Sequence, residues 1–530
     1  MKKPTGRRTF SRAVAVLTGM ALGLSALVAA PAALADEADV VQGPTVVEDP
    51  NSPTGYTVTF VYNNPNATQV RLAGDLTLRG IGEGTTRFQP EEWQQGRYHA
   101  GGTEFLRDMT KDADGNWSVS VPLHAGGLSY WYRVWDPTQE WVNKRIWDPA
   151  SDKPRPAGDS FRVRNNDVLD AVYVPYAEKQ NDPVLASRAA YELPVADESQ
   201  RGSLSYIEYT TILGDDGHYL GVYLPAGYDP DRAEPYKVAY LAHGIFGDET
   251  DFMVPVGVPN ILDNMTAKGE IEPTVVVTMG NHFTGTSLGF ASYNQTNAAN
   301  NLVQTILPLI ESEYNVSDKR EDRAYAGFSY GGMTSAHVLR GYPTTFSYFG
   351  LFSGNPSLTA AEYDTIAAAV GDDDMFVFGG NGVFEGSLAA TDAVANNFRS
   401  RGIPAVTTQV PGAHDGMTAA QLFTIFAKDY LWQDPLEVSA SVSSRCIAGK
   451  VILTVTAPNA NDGAVDVQIT TPYGTKSFAG VTAGKNSFHA FTTRATSLPP
   501  GTATVTASGT FHGAALSETV EVPYAAVSCN

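Results

Sequence analysis

Basic residues are scarce in this chain. Lys and Arg number 36 against 57 Asp and Glu, a formal net charge of −21. A polyanion of that size is repelled by phosphate backbones and by anionic membrane surfaces, which argues against nucleic acid as a partner. Cysteine is nearly absent. Two in 530 residues leave no room for a cysteine-based zinc site or a disulfide-dense scaffold. Beyond residue 35 no run of about 18 consecutive apolar residues occurs, so no second spanning helix is expected. Nor does any internal repeat link the first and last parts of the chain. Charged residues make up only 18% and hydrophobic ones 43%, a balance that excludes a disordered chain. At about 100–200 residues per domain, the length suggests three domains.

The first 35 residues look like an address. Lys2, Lys3, Arg7, Arg8 and Arg12 form a basic start, Ala13 to Ala30 is weakly apolar, and Ala33-Leu34-Ala35 is a cleavage site. That is the pattern of a secretory signal, and the expected product is an exported protein. Arg7-Arg8-Thr9-Phe10 fits the core of a twin-arginine signal, whereas Gly6 and Ser11 depart from it, so both export routes stay open. Loss of these residues makes the mature chain more negative still.

Three zones follow. Residues 44–175 carry short β-type runs such as Tyr56 to Tyr62 and Trp117 to Val121, broken by Asn63-Asn64-Pro65-Asn66 and Asp112 to Asn116. A small β-sandwich is expected there. Six of the seven tryptophans fall between Trp93 and Trp147. They suit either a sugar-stacking face or the core of the sandwich. Residues 176–202 read as a loop-rich linker. Residues 203–434 alternate strands, such as Val238 to Ala242 and Thr274 to Met279, with helical spacing between Asn301 and Tyr314. Such alternation implies a mainly parallel sheet with helices on both faces. Residues 436–530 turn Thr-, Val-, Ala- and Ser-rich with no Trp, and a second, Ig-like β-sandwich is expected. Cys446 and Cys529 lie near its two ends. In an exported chain they are expected to form one disulfide.

The chemistry lies in the middle zone. Gly327-Phe328-Ser329-Tyr330-Gly331 is a G-x-S-x-G pattern between an apolar strand and a helix. That context is a nucleophile elbow, which makes Ser329 the expected nucleophile. The base must follow in the order serine, acid, histidine. Of the nine histidines, His99 and His124 lie in the first zone, His489 and His512 in the last, His218, His243 and His282 precede the serine, and His337 lies in the helix after it; His414 remains, in the loop Pro411 to Gly416 after the strand Ala405 to Val410. The acid should follow the strand Met375 to Phe378. Glu385 does so, with Asp392 as its rival, whereas Asp372, Asp373 and Asp374 precede the strand. An oxyanion hole needs two N–H donors. Tyr330 supplies one, and Ile245 or Phe246, in the loop after Val238 to Ala242, the other. His243 is expected to brace that loop. His414-Asp415 has no second cluster at ligand spacing, so no metal or other cofactor is expected.

Several motifs together resemble the esterase D family of α/β-hydrolases. They are Val222 to Tyr228, the His243-Gly244 loop, Ala326 to Gly332, and Phe352-Ser353-Gly354. The resemblance implies a central α/β-hydrolase domain and acyl-ester chemistry, as in feruloyl and acetyl esterases, enterochelin esterases, S-formylglutathione hydrolases and mycolyltransferases. Asn381-Gly382 followed by Glu385 is similar to the acid loop of the mycolyltransferases. Asp114 to Trp117 and Tyr130 to Val134 resemble the family 48 carbohydrate-binding modules. The last zone looks like the small sandwiches that end secreted actinobacterial glycan hydrolases. Together these imply a secreted serine carboxylesterase with a Ser-Glu-His triad and an acylated polysaccharide or oligosaccharide as substrate. The alternatives are an acyltransferase to sugars and an inactive glycan- or wall-binding protein.

Overall fold

The computed structural model describes residues 40–138, 144–156, 169–281, 294–371, 375–433, 436–461 and 463–529. The leader at residues 1–35, His282 and Asp372 to Asp374 lie outside the described residues. Among those described, no helix is long and apolar enough to cross a membrane.

Eight strands form the central sheet: β1 (Ser203–Tyr209), β2 (His218–Leu224), β3 (Lys237–Ala242), β4 (Thr274–Met279), β5 (Arg323–Phe328), β6 (Tyr348–Phe352), β7 (Phe376–Gly382) and β8 (Ala405–Val410). Their spatial order is β1-β2-β4-β3-β5-β6-β7-β8. The first two are antiparallel to their neighbours, and the rest run parallel. Successive side chains on a strand face opposite sides, and both sides are covered here. Val238 and Tyr240 join one core, Ala239 and Leu241 the other. This is why the strand sequences are continuously apolar rather than alternating. A fully buried Val or Leu such as Val238 or Leu241 contributes about 1.5–3 kcal/mol.

Among the described residues of 43–174 two antiparallel sheets pack together, Asp170–Val174 pairing with Gly126–Trp135 in the second, and Leu78–Gly80 forms a small separate pair with Arg97–His99. One of the two sheets runs Gly43–Glu48, Tyr56–Asn63, Asn116–Pro122, Thr110–Lys111, and the other Lys144–Ile146, Gly126–Trp135, Gln69–Gly74, Phe105–Asp108. Val58, Phe60, Leu72, Tyr130 and Tyr132 share the core between them. Trp93, Trp117 and Trp131 are buried, and Trp135 and Trp147 are half-buried. Arg145 stacks on Trp131 at 4.4 Å and Arg71 on Trp135 at 5.5 Å.

The stretch expected to be a loop-rich linker instead contains a helix, α1 (Pro183–Glu192). The signal for it is local. Asp182 caps the Val184 and Leu185 N–H groups, and Pro183 takes the first helical position, where no N–H is needed. The helix carries a buried ion pair, Arg188 Nη2 to Glu192 Oε2 at 2.8 Å. Glu192 also accepts from the Gly127 N–H, and Arg188 donates to the Gly127 carbonyl, both at 2.7 Å. Asn260 and Asn264 of the central domain donate to carbonyls at the end of α1. The helix is therefore a latch between the first sandwich and the central domain. Removing one member of the pair would strand a buried charge, at a cost of about 3–5 kcal/mol.

The last zone is also two-layered. A three-stranded sheet (Ser441–Ile447, Lys450–Pro458, Asn486–Thr492) packs on a four-stranded one (Gly474–Val481, Val465–Thr471, Gly501–Phe511, Ala514–Tyr524). Leu453, Val467, Phe491 and Val505 fill the space between. Cys446 and Cys529 are bonded across 83 residues. A closed loop of that length contributes about 4–5 kcal/mol in the chain-entropy account. The double variant Cys446→Ser/Cys529→Ser should lower the melting temperature of this sandwich by about 10 °C or more in calorimetry, with ester hydrolysis at 25 °C unchanged. Its loop tip touches the start of the parallel strands: the Ala405 N–H donates to the His512 carbonyl at 3.3 Å, and the His512 and Phe376 rings meet at 5.3 Å.

Candidate active site

Ser329 stands between β5 and helix α2 (Tyr330–Gly341) with φ 53° and ψ −113°. A non-glycine residue held there costs about 1–3 kcal/mol. Three glycines make the turn possible. A methyl group at Gly327 would lie 2.2 Å from the Gly331 carbonyl carbon, one at Gly331 2.0 Å from the Ala242 carbonyl oxygen, and one at Gly332 2.5 Å from the Gly354 oxygen. The turn is fixed from the next strand, where the Phe352 carbonyl accepts from the Ser329 N–H at 2.8 Å.

His414 follows β8, and Glu385 follows β7. Ser329 Oγ is 2.7 Å from His414 Nε2, and His414 Nδ1 is 2.6 Å from Glu385 Oε2. A carboxylate on Nδ1 accepts, so Nδ1 carries the proton and Nε2 offers its lone pair to the serine hydroxyl. The Phe328 ring packs on the imidazole at 4.8 Å. Burial raises the Glu385 carboxyl, but hydrogen bonds from His414, Ser353 and the Gly382 N–H outweigh it and hold the group below its ordinary value. It is thus ionised near neutral pH. Ser353 Oγ and the Gly382 N–H both donate to Glu385 Oε1 at 2.7 Å. Asp392, the rival acid, lies on the helix Ala389–Arg399 and accepts from Thr407 Oγ1. The structure does not bring it to His414.

Tyr330 opens α2, where the N–H groups of the first turn and the helix dipole favour negative charge. The other donor candidates sit in a tight turn closed by the Gly247 N–H on the Gly244 carbonyl at 3.2 Å. Ile245 is half-buried there, and Phe246 adopts φ 64° and is 44% exposed. His243 accepts the Asn281 N–H on Nε2 at 2.9 Å, so its Nδ1 donates to the Gly244 carbonyl at 2.5 Å. It braces the turn from behind. Among the described residues no group of three His, Cys, Asp or Glu is arranged to hold a metal.

Three features of the site were not anticipated. Ser353 has φ 50° and props Glu385 across 32 residues. Its signal was the Phe352-Ser353-Gly354 end of β6, which a structure was needed to connect to the acid. Asp415, beside His414, caps helix α3 (Gly416–Asp429) through the Thr418 N–H and accepts the Gly101 N–H of the first sandwich at 2.7 Å. Arg79 of that sandwich donates to the Phe384 carbonyl at 3.1 Å, one residue before Glu385. The loops that carry Glu385 and His414 are therefore both held from the N-terminal sandwich.

Asp75 comes from the same sandwich. Burial and the nearby Asp415 push its carboxyl up to about 7. A carboxyl raised above its unfolded value binds its proton longer in the folded state, so stability falls as pH rises from about 4 to about 7. Asp75→Asn should consequently raise the melting temperature more at pH 8 than at pH 5. A gain that does not change between the two would contradict this.

Residues 215–432 match the family model of a putative esterase. Endo-1,4-beta-xylanase Y of Acetivibrio thermocellus is 32% identical over 197 residues, which cover 34% of this chain and 17% of that protein. An endo-1,4-beta-xylanase/feruloyl esterase of Xylanibacter ruminicola is 34% identical over 139 residues, 25% of this chain and 19% of that protein. The matches thus span less than a fifth of either relative. Among solved structures, a mutant feruloyl esterase module from Clostridium thermocellum complexed with sinapinate aligns at 24% identity and a TM-score of 0.38, covering 46% of this chain and 90% of that one. The stretch that carries Ser329, Glu385 and His414 is therefore the one that matches the putative esterase family model, and one of the relatives bears a feruloyl esterase name.

Proposed function

We propose that this protein is an exported serine carboxylesterase that removes feruloyl or acetyl groups from polysaccharide through an acyl-enzyme. The observation that carries this reading is the unbroken line Ser329–His414–Glu385, with hydrogen bonds of 2.7 and 2.6 Å. Ser329 Oγ attacks the ester carbonyl while His414 Nε2 takes its proton. Glu385 stabilises the imidazolium that results. The negative oxygen of the tetrahedral species rests on the N–H groups of Tyr330 and Ile245. His414 then gives the proton to the departing alcohol. Water, activated by the same imidazole, cleaves the acyl-enzyme and restores Ser329. Polysaccharide as the carrier is supported by the xylanase and feruloyl esterase names of the two relatives. Export is supported by the basic start, apolar stretch and Ala33-Leu34-Ala35 site.

A second reading passes the acyl group to a sugar hydroxyl instead of water. The Asn381-Gly382 and Glu385 loop, similar to that of the mycolyltransferases, favours it. The test is a side-by-side assay of methyl hydroxycinnamates and of acetylated and feruloylated xylan, with and without trehalose or arabinose. Free acid as the product supports hydrolysis, and acylated trehalose or arabinose supports transfer. If no acyl group is released from any of them while Ser329→Ala still binds insoluble xylan, the chain is a binding protein and the proposal fails.

A further inference from the structure

We propose that Asp75, reaching in from the N-terminal sandwich, is the hydrogen-bond acceptor for a substrate hydroxyl in a subsite beside Ser329. The inference rests on the esterase reading above.

A cavity of about 80 Å³ lies where the two domains meet; Gly244, Phe252, Val256 and Phe328 line it together with the polar Asp75, Ser129, His243 and Asp251. It adjoins the reacting serine. Phe328 directly precedes Ser329 and packs on His414, and a methyl group at Gly244 would lie 3.3 Å from Ser329 Cβ. The walls from Phe252, Val256 and Phe328 are apolar. Asp75 adds a carboxylate that accepts no hydrogen bond from any described residue. The neighbouring Gly101 N–H is already committed to Asp415. Gly101 lets the chain pass between the two acids: a methyl group there would lie 2.8 Å from Asp415 Cβ and 3.1 Å from Asp75 Oδ1.

A carboxylate left without a donor in such a place destabilises the fold in its ionised form. A perturbed acid in a cleft is a candidate for function. Apolar walls with polar groups among them, Asp75 being the carboxylate brought by the sandwich, fit a group that has an apolar body and a hydroxyl. That hydroxyl belongs either to the acyl group, as on a phenolic ring, or to the sugar that leaves. With its carboxyl near 7, Asp75 accepts from the hydroxyl when ionised.

Matched ester pairs test this. One pair is methyl 4-hydroxycinnamate and methyl 4-methoxycinnamate. The other is an acetylated xylose unit and its counterpart lacking the adjacent free hydroxyl. The wild type should favour the hydroxylated member of one pair in kcat/KM by about tenfold or more. Asp75→Ala should bring that ratio to about 1, and Asp75→Asn, which keeps an acceptor oxygen, should retain part of it. A ratio in the first pair assigns the acyl side, and one in the second assigns the leaving side. If Asp75→Ala slows both members equally, or leaves the ratio intact, the proposal is overturned. Should Asp75→Ala fail to fold, Asp75→Asn decides: an unchanged ratio there overturns it as well. A flat ratio in a wild type whose turnover depends on Ser329 sinks the Asp75 subsite alone. Turnover that survives Ser329→Ala sinks the esterase reading itself.

Discussion

Replacing Ser329 with Ala is expected to cut kcat for p-nitrophenyl acetate and methyl ferulate by about 10⁴-fold or more, with KM little changed. In the proposed mechanism the side chain removed is the one that forms the covalent bond, and its loss leaves the proposed oxyanion donors and binding surfaces in place. His414→Ala should cost about as much, because an unassisted serine hydroxyl is a poor nucleophile. The double variant should be no slower than either single one, since the two groups act as a unit. Additive losses would mean that Ser329 and His414 serve separate steps.

Glu385→Gln is expected to lower kcat by about 10³–10⁴-fold. The amide can turn its NH₂ toward His414 Nδ1, which forces the imidazole proton onto Nε2. The nitrogen facing Ser329 would then be unable to accept. The remaining amide oxygen keeps both bonds, from Ser353 Oγ and from the Gly382 N–H, so the loop should stay folded. Stability gives a second check. The folded-state carboxyl is held below its ordinary value. Its contribution is therefore present above about pH 4.3 and lost as pH falls through the lowered value. The stability gap between wild type and Glu385→Gln should narrow on acidification below about pH 4. A gap that widens there would contradict the sign.

Much of the site is visible in the chain because its constraints are local. The glycines around Ser329 are demanded by contacts of 2.0–2.5 Å with neighbouring backbone, and backbone contacts of that kind leave a sequence pattern. His414 and Glu385 follow from chain order in a parallel sheet. Helix α1 was legible too, since Asp182-Pro183 is a start signal, but the many turn residues around it read as linker. What stayed hidden depends on distant pairings. Nothing near Asp415 announces that the Gly101 N–H, 314 residues away in sequence, will bond to it. The same holds for Arg79 and Phe384, 305 residues apart. Nor does Ser353 signal its reach to Glu385. The tryptophans of the first zone were open between two uses; three of the five described between Trp93 and Trp147 are buried, and packing in three dimensions decides that.

The last sandwich meets the sheet at Phe376 and Ala405, the first residues of β7 and β8. Ser329, Glu385 and His414 lie just beyond the opposite ends of the strands they follow. An enzyme tethered through that sandwich would thus present its reacting end outward. Immobilisation on a solid support by residues of the Gly474–Val481 sheet should leave insoluble substrate free to approach, whereas attachment through the first sandwich would crowd it.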